Sequence, residues 1–188
     1  FVILTMLRSG SYYLVDLLNQ HPDIVCNGEP LSTNELTGWR LSQPQTAFVG
    51  FKLMDRHIAE QPVFLDMVRA CPEMHYVVLE RNNQFETLRS LNQVWITNQW
   101  SDWEGEGEQL LPVIYLDPQQ CRDQFAQAEQ FYRACREGLP SERTLWLSYE
   151  DLCDDQDAAL ESAWRFFGLP STAPLVSSFR RQESRPLA

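Results

Sequence analysis

Five short apolar runs, separated by helical patterns, constrain this chain more than any other feature. They span 1–6 (FVILTM), 23–27 (DIVCN), 47–54 (AFVGFKLM), 75–80 (HYVVLE) and 144–149 (TLWLSY). Nearly every position in them is apolar, and many are β-branched or aromatic. Such runs suit strands buried on both faces, which in practice means a parallel sheet covered by helices. The spacing predicts helices in between. Leu14, Leu17 and Leu18 share a face in 11–19, as do Phe64, Met67, Val68 and Cys71 after Pro62. Leu88, Leu91, Asn92 and Trp95 line one side of 84–99, and Cys121, Phe125, Ala128, Tyr132 and Cys135 one side of 118–137. Asp117, Pro118 and Gln120 form a helix-start signal, and a last helix over 154–167 is stopped by Gly168 and Pro170. Alternating strands and helices predict an α/β fold, a three-layer α/β/α sandwich on a central parallel sheet of about five strands. At 188 residues with 44% hydrophobic content, the chain can build one such core, so residues 1–188 read as a single domain.

The stretch 100–117 (WSDWEGEGEQLLPVIYLD) interrupts this rhythm. It is acidic, glycine-broken and aromatic, and reads as a surface insertion and a candidate lid. The chain opens at Phe1, inside a strand and without an initiating Met, so native terminal residues are expected to be missing. The apolar opening is too short for a signal peptide, and no apolar run reaches the length of a membrane span. The net charge of −11 argues against general nucleic-acid binding or a basic membrane-facing surface. Lys52 is the only lysine; every other basic residue is arginine, the side chain that grips phosphate-like groups bidentately. Cys26, Cys71, Cys121, Cys135 and Cys153 are odd in number and include no CxxC pair, so reduced thiols in a cytoplasm are expected rather than a zinc site or a disulfide framework.

The loop after the first strand, Leu7-Arg8-Ser9-Gly10-Ser11, carries the chemistry of a phosphate cradle. In open α/β sheets ligands bind at the carboxyl ends of strands, where a helix N-terminus offers free amides. Gly10 lets the backbone approach an anion, Ser9 and Ser11 offer hydroxyls, and Arg8 adds a cation. The loop is P-loop-like but is not a Walker A motif. With Gly10 as its second glycine, that motif needs Gly, Lys and Ser or Thr where Thr5, Ser11 and Tyr12 stand. A structural turn with a helix cap explains the same residues.

Taken in order, several segments resemble the sulfotransferases that use 3′-phosphoadenosine 5′-phosphosulfate (PAPS). FVILTMLRSGSYYLVDLLNQHP resembles their 5′-phosphosulfate loop, and LERNNQFETLRS (79–90) their 3′-phosphate motif. NGEP (27–30) and GFKLM (50–54) resemble the branch containing bacterial carbohydrate sulfotransferases of the nodulation-factor and trehalose type. SYEDL (148–152) and RRQESRPL (180–187) resemble recurring carboxyl-terminal segments.

The resemblance implies a site. Arg8 would stabilise charge on the donor's leaving group, and Ser9, Gly10 and Ser11 would hold its 5′-phosphate. Arg81, with Ser90 nine residues on, would take the 3′-phosphate, with Arg89 as a competitor for that role. Arg180 and Arg181 would close over the same group. Glu29 would be the general base, raised toward neutral pH by burial. Lys52 would reach the transferred group or the acceptor. The histidine that many cytosolic relatives carry two residues after such a lysine is absent, since Leu53 and Met54 follow Lys52, so His57 is the reserve base; His21 and His75 read as structural. Tyr12 or Tyr13 would stack on the adenine or its sugar, and Trp100, Trp103 and Tyr115 would wall the acceptor. The co-substrate would be PAPS, leaving 3′,5′-bisphosphoadenosine (PAP), with no metal required. The partners would be this nucleotide and a hydroxyl acceptor, in all expectation a carbohydrate. Two other readings remain at this point. A P-loop kinase or nucleotide hydrolase would need a Mg-binding acid, for which Asp55 and Asp151 are candidates. A non-catalytic nucleotide-binding or docking module would need neither.

Overall fold

A computed structural model describes residues 1–29, 46–98, 113–172 and 175–177. Its centre is a five-stranded, wholly parallel sheet in the order β2-β3-β1-β4-β5. The strands are β1 (Val2–Thr5), β2 (Ile24–Cys26), β3 (Phe48–Met54), β4 (Tyr76–Glu80) and β5 (Thr144–Ser148). β1 lies in the middle, with Thr5 level with Met54 of β3 on one side and Leu79 of β4 on the other. Glu80 stands opposite Ser148 of β5. All five strands therefore end on one edge.

Successive strand residues point to opposite faces, and two cores result. Ile3, Val77 and Leu79 pack with Leu14, Leu17 and Leu18 of α1 (Ser11–Leu18) and with Leu160, Ala163, Trp164 and Phe167 of α7 (Gln156–Phe167). Val2, Leu4 and Val78 face the other way, against Val68 of α3 (Val63–Arg69) and Ala128, Tyr132 and Cys135 of α5 (Pro118–Gly138). This is the expected three-layer sandwich. Within it, all five cysteines are free thiols, and among the described residues no helix is long and apolar enough to cross a membrane.

Three details depart from the sequence expectations. A helix α2 (Asp55–Glu60) follows β3 directly; six residues are too few to show a period. A short additional helix precedes the expected last one. β5 stops at Ser148, whose hydroxyl accepts the Asp151 N–H at 2.9 Å and starts α6 (Tyr149–Asp154); Asp155 then caps α7 through the Ala158 N–H at 3.1 Å. In α4 (Gln84–Thr97) the buried face is Thr87, Leu88, Ser90, Gln93 and Val94, while Trp95 is exposed. That face is half polar because it borders the functional edge. Asn98 ends α4 at φ 57, a left-handed conformation that Asn tolerates. Of the expected insertion, Val113–Asp117 is described and has no regular structure; 100–112 lies outside the described residues. Gly168, at φ 67, closes α7 as expected.

One side chain ties α5 to the sheet beneath the first loop. The Tyr132 hydroxyl, 1% exposed as a residue, donates to the Leu79 carbonyl at 3.1 Å. Burial pushes its phenol up to about 12, so it stays a donor at all working pH. Tyr132→Phe is expected to cost about 1–2 kcal/mol of stability, read from urea unfolding; a loss near zero would show that Tyr132 acts only as an apolar filler.

Candidate active site

The loop between β1 and α1 is held from below. Ser9 is 1% exposed, and its hydroxyl lies 3.5 Å from the Tyr132 hydroxyl. Because Tyr132 gives its proton to Leu79, Ser9 is the donor in that contact, and its side chain is turned into the core rather than toward the open edge. Asp55 sits nearby; burial raises its carboxyl, and the Gln127 amide at 2.7 Å and the backbone N–H groups of Arg56 and Leu7 offset this. Through Gln127, Asp55 ties the start of α2 to α5. Gly10 caps α1 at φ 80, and a Cβ there would stand 2.2 Å from Cδ2 of Tyr149. Both the conformation and the close approach demand glycine.

Arg8, also in the left-handed region at φ 64, turns toward the next strand end. Its Nε donates to the Ser90 hydroxyl at 3.0 Å. Arg81, just past β4, donates from Nη1 to the Arg8 carbonyl at 3.2 Å and lays its guanidinium over the Tyr149 ring, 4.7 Å from the centroid. The Arg81 Nε is buried without a hydrogen-bond partner among the described residues. Burial lowers the pKa of both arginines, and the Arg81 charge lowers that of Arg8 further. Two guanidiniums drawn together in a partly desolvated corner are costly unless an anion joins them. Arg8 thus stands between Arg81 and Ser90, its side chain on the Ser90 hydroxyl and its carbonyl on Arg81. Arg89, the competitor, is taken by Glu86, 2.8 Å from its Nη2, and by Gln93.

A second cluster lies across the same edge. Glu29 follows β2, and its side chain is 8% exposed. Lys52 of β3 places its Nζ 2.7 Å from Oε1, and Arg56 of α2 places Nη2 3.3 Å from Oε2. The Tyr12 phenol also hydrogen-bonds to this carboxylate, while the Lys52 ammonium sits 3.5 Å from the centre of the Tyr12 ring. Tyr12 therefore belongs to this cluster in the structure, and Tyr13 donates to Gln156 of α7 at 2.5 Å. Burial pushes the Glu29 carboxyl up, as expected, but Lys52, Tyr12 and Arg56 outweigh it and hold the pKa below the ordinary value of 4.5. The expectation of a base raised toward neutrality is thus corrected: Glu29 is held ionised. Burial also lowers the Lys52 pKa, with Glu29 working against it.

His57 approaches from α2 in one orientation. Its Nδ1 accepts the Met54 N–H at 3.2 Å, so the neutral ring carries its proton on Nε2, 3.8 Å from Oε2 of Glu29. Burial lowers its pKa. The nitrogen that faces Glu29 is a donor. His21 and His75 are structural: His21 is buried between Asp23 and Pro170, and His75 meets Phe48 and Phe166 edge-on. Arg180, Arg181, Trp100 and Trp103 lie outside the described residues; Tyr115 is exposed. Sequence reasoning missed Arg56, Tyr132, Tyr149 and Glu150. Tyr132 stood in the sequence only as a core position of 118–137, and SYEDL covered Tyr149 and Glu150 without assigning roles.

A depressed carboxylate contributes stability above its unfolded pKa, near 4.5, and loses it as pH falls through the native value. Lys52→Met leaves Glu29 buried without its ammonium, so burial then raises that pKa instead. The variant is expected to lose about 3–5 kcal/mol at pH 7, with the loss shrinking as pH falls and Glu29 takes up a proton. Urea unfolding at pH 7 and pH 4.5 measures both; an equal loss at the two pH values would contradict the pairing.

No family model matches the chain. Nodulation protein H of Rhizobium meliloti strain 1021 is 30% identical over 210 aligned residues, covering all of this chain and 85% of that protein. Nodulation protein H of Rhizobium tropici is 30% identical over 209, covering all of this chain and 83% of that protein. Among solved structures, the sulfotransferase domain from the curacin biosynthetic pathway superposes with a TM-score of 0.59 at 17% identity, over 90% of this chain and 74% of that one. Mouse sulfotransferase SULT7A1, solved with PAP, gives 0.56 at 15%, over 92% of this chain and 60% of that one. Full-length likeness at this identity, on a shared fold, settles the family: this chain is an enzyme of the sulfotransferase family, close to the nodulation H proteins.

Proposed function

We propose that the sulfuryl donor is PAPS and the acceptor a carbohydrate hydroxyl. The observation that carries the donor is the convergence of Arg8, Arg81 and Ser90 beside the N-terminus of α1. Such a corner suits a nucleotide with phosphate groups at both 5′ and 3′ positions. The Gly10–Ser11 turn and the amides of α1 take the 5′ side, and Arg81 with Ser90 takes the 3′-phosphate. The PAP bound in the mouse sulfotransferase supports this choice. The carbohydrate acceptor rests on the likeness to nodulation H proteins and to the sugar-modifying branch of the family. A cytoplasmic location belongs to the same reading, supported by five free thiols.

The donor brings an activated sulfuryl group with a phosphate leaving group. Transfer forms a bond from the acceptor oxygen to sulfur, breaks the bond from sulfur to the bridging phosphate oxygen, and releases the hydroxyl proton. Arg8 neutralises charge building on the leaving phosphate. Glu29, ionised at neutral pH, accepts the proton as the acceptor oxygen bonds to sulfur and acidifies. Lys52 and Arg56 hold the carboxylate in place and keep positive charge beside the transferred group. Tyr12 fixes both partners, its phenol on Glu29 and its ring under Lys52. His57, whose protonated Nε2 faces Glu29 from 3.8 Å, is not the base.

Transfer of labelled sulfate from PAPS to a panel of oligosaccharides tests the reading; labelling of phenols or peptides alone would remove the carbohydrate. Glu29→Gln is expected to lower kcat by about 10²–10⁴ with PAP affinity unchanged. His57→Asn, which keeps an acceptor for the Met54 N–H, is expected to retain most turnover. The reverse ranking would move the base to His57.

A further inference from the structure

We propose that Glu150, with its neighbour Tyr149, is a positioning residue for the donor's 3′-phosphate; this rests on the PAPS reading above. Glu150 is the second residue of α6, and the register that sets Ser148 beside Glu80 brings it against the connection from β4 to α4. Its Oε2 accepts the Asn82 N–H at 3.0 Å and its Oε1 the Asn83 N–H at 3.1 Å. One carboxylate thus grips two successive amides immediately after Arg81. Asn83 in turn caps α4 by accepting the Glu86 N–H at 3.1 Å, and the Arg81 carbonyl accepts from the Gln84 amide at 2.5 Å. The backbone from Arg81 to Gln84 is tied at every residue. Tyr149 completes the clamp from the side-chain end, under the Arg81 guanidinium and against Gly10. Two adjacent residues at the end of β5 therefore set both the backbone and the guanidinium of Arg81, and one of them also touches the first loop. Neither needs to meet the nucleotide.

The charge of Glu150 makes the proposal testable by sign. As a bare negative charge near Arg81, it would oppose a bound phosphate, and its removal would tighten binding. As a clamp, it holds Arg81 where the phosphate needs it, and its removal weakens binding. Two variants separate charge from reach. Glu150→Gln keeps the shape and loses the charge and one strong acceptor; Glu150→Asp keeps the charge but is too short to span both amides.

Calorimetric titration of wild type and both variants with PAP and with 5′-AMP, which lacks the 3′-phosphate, reads the effect. Both variants are expected to bind PAP roughly tenfold more weakly and AMP within twofold of wild type, so the PAP preference falls. Should Glu150→Gln fail to fold, Glu150→Asp carries the same comparison. Unchanged or tighter PAP binding in either variant overturns the proposal, as does an equal loss for both ligands, which would mark a general disturbance. A wild-type protein that binds AMP as well as PAP would instead overturn the 3′-phosphate reading itself.

Discussion

The parallel register of the sheet is the constraint from which the rest follows. Because β1 runs beside β3 and β4 in the same direction, the Arg8 loop, Glu29, the Lys52–His57 stretch, Arg81 and the Tyr149–Glu150 corner all arise on one edge. Residues far apart in sequence become neighbours without any long loop having to carry them. Both faces of β1 and β4 are buried, with Ile3 and Val77 in one core and Val2 and Val78 in the other. The site is thus a by-product of burying both faces of a sheet.

Charge is then distributed against the protein's overall balance. A chain of net charge −11 gathers Arg8, Arg81, Lys52 and Arg56 along this edge. The two halves differ in how they are balanced. Around Glu29, the cations are matched by a carboxylate and a phenol, and the outcome is an ionised base locked in place. Around Arg8 and Arg81 lie the Ser90 hydroxyl, the Tyr149 ring and the carboxylates of Glu86, 3.9 Å from Arg81, and Glu150. Two guanidiniums held side by side beside the N-terminus of α1 favour a bound anion there.

Much of this was legible in the sequence, and the failures have physical reasons. Apolar runs predicted all five strands because strands buried on both faces leave a dense signal. The ordered segments singled out Arg8, Arg81, Ser90 and Glu29, which the fold brings to one sheet edge. Tyr12 gained partners that its position did not announce: the turn of α1 brings its phenol to Glu29 and its ring to Lys52. Ser9 seemed a phosphate ligand by type, but the depth of the loop buries its hydroxyl against Tyr132. The pKa of Glu29 was misjudged because burial is visible as apolar context, while the three groups that outweigh it come from α1, β3 and α2. Glu150 escaped because it works through backbone amides, which carry no sequence signal.

The central claim is that the corner between the ends of β1 and β4 is built for a nucleotide bearing phosphates at both 5′ and 3′ positions. Thermal unfolding with PAP, set beside Mg-ATP, tests it directly. A ligand at about 100 times its Kd adds about 2.7 kcal/mol of stability, or roughly 5–10 °C for a domain of this size. The account predicts that rise with PAP and little with Mg-ATP. An equal or larger rise with Mg-ATP, or none with PAP, would contradict it.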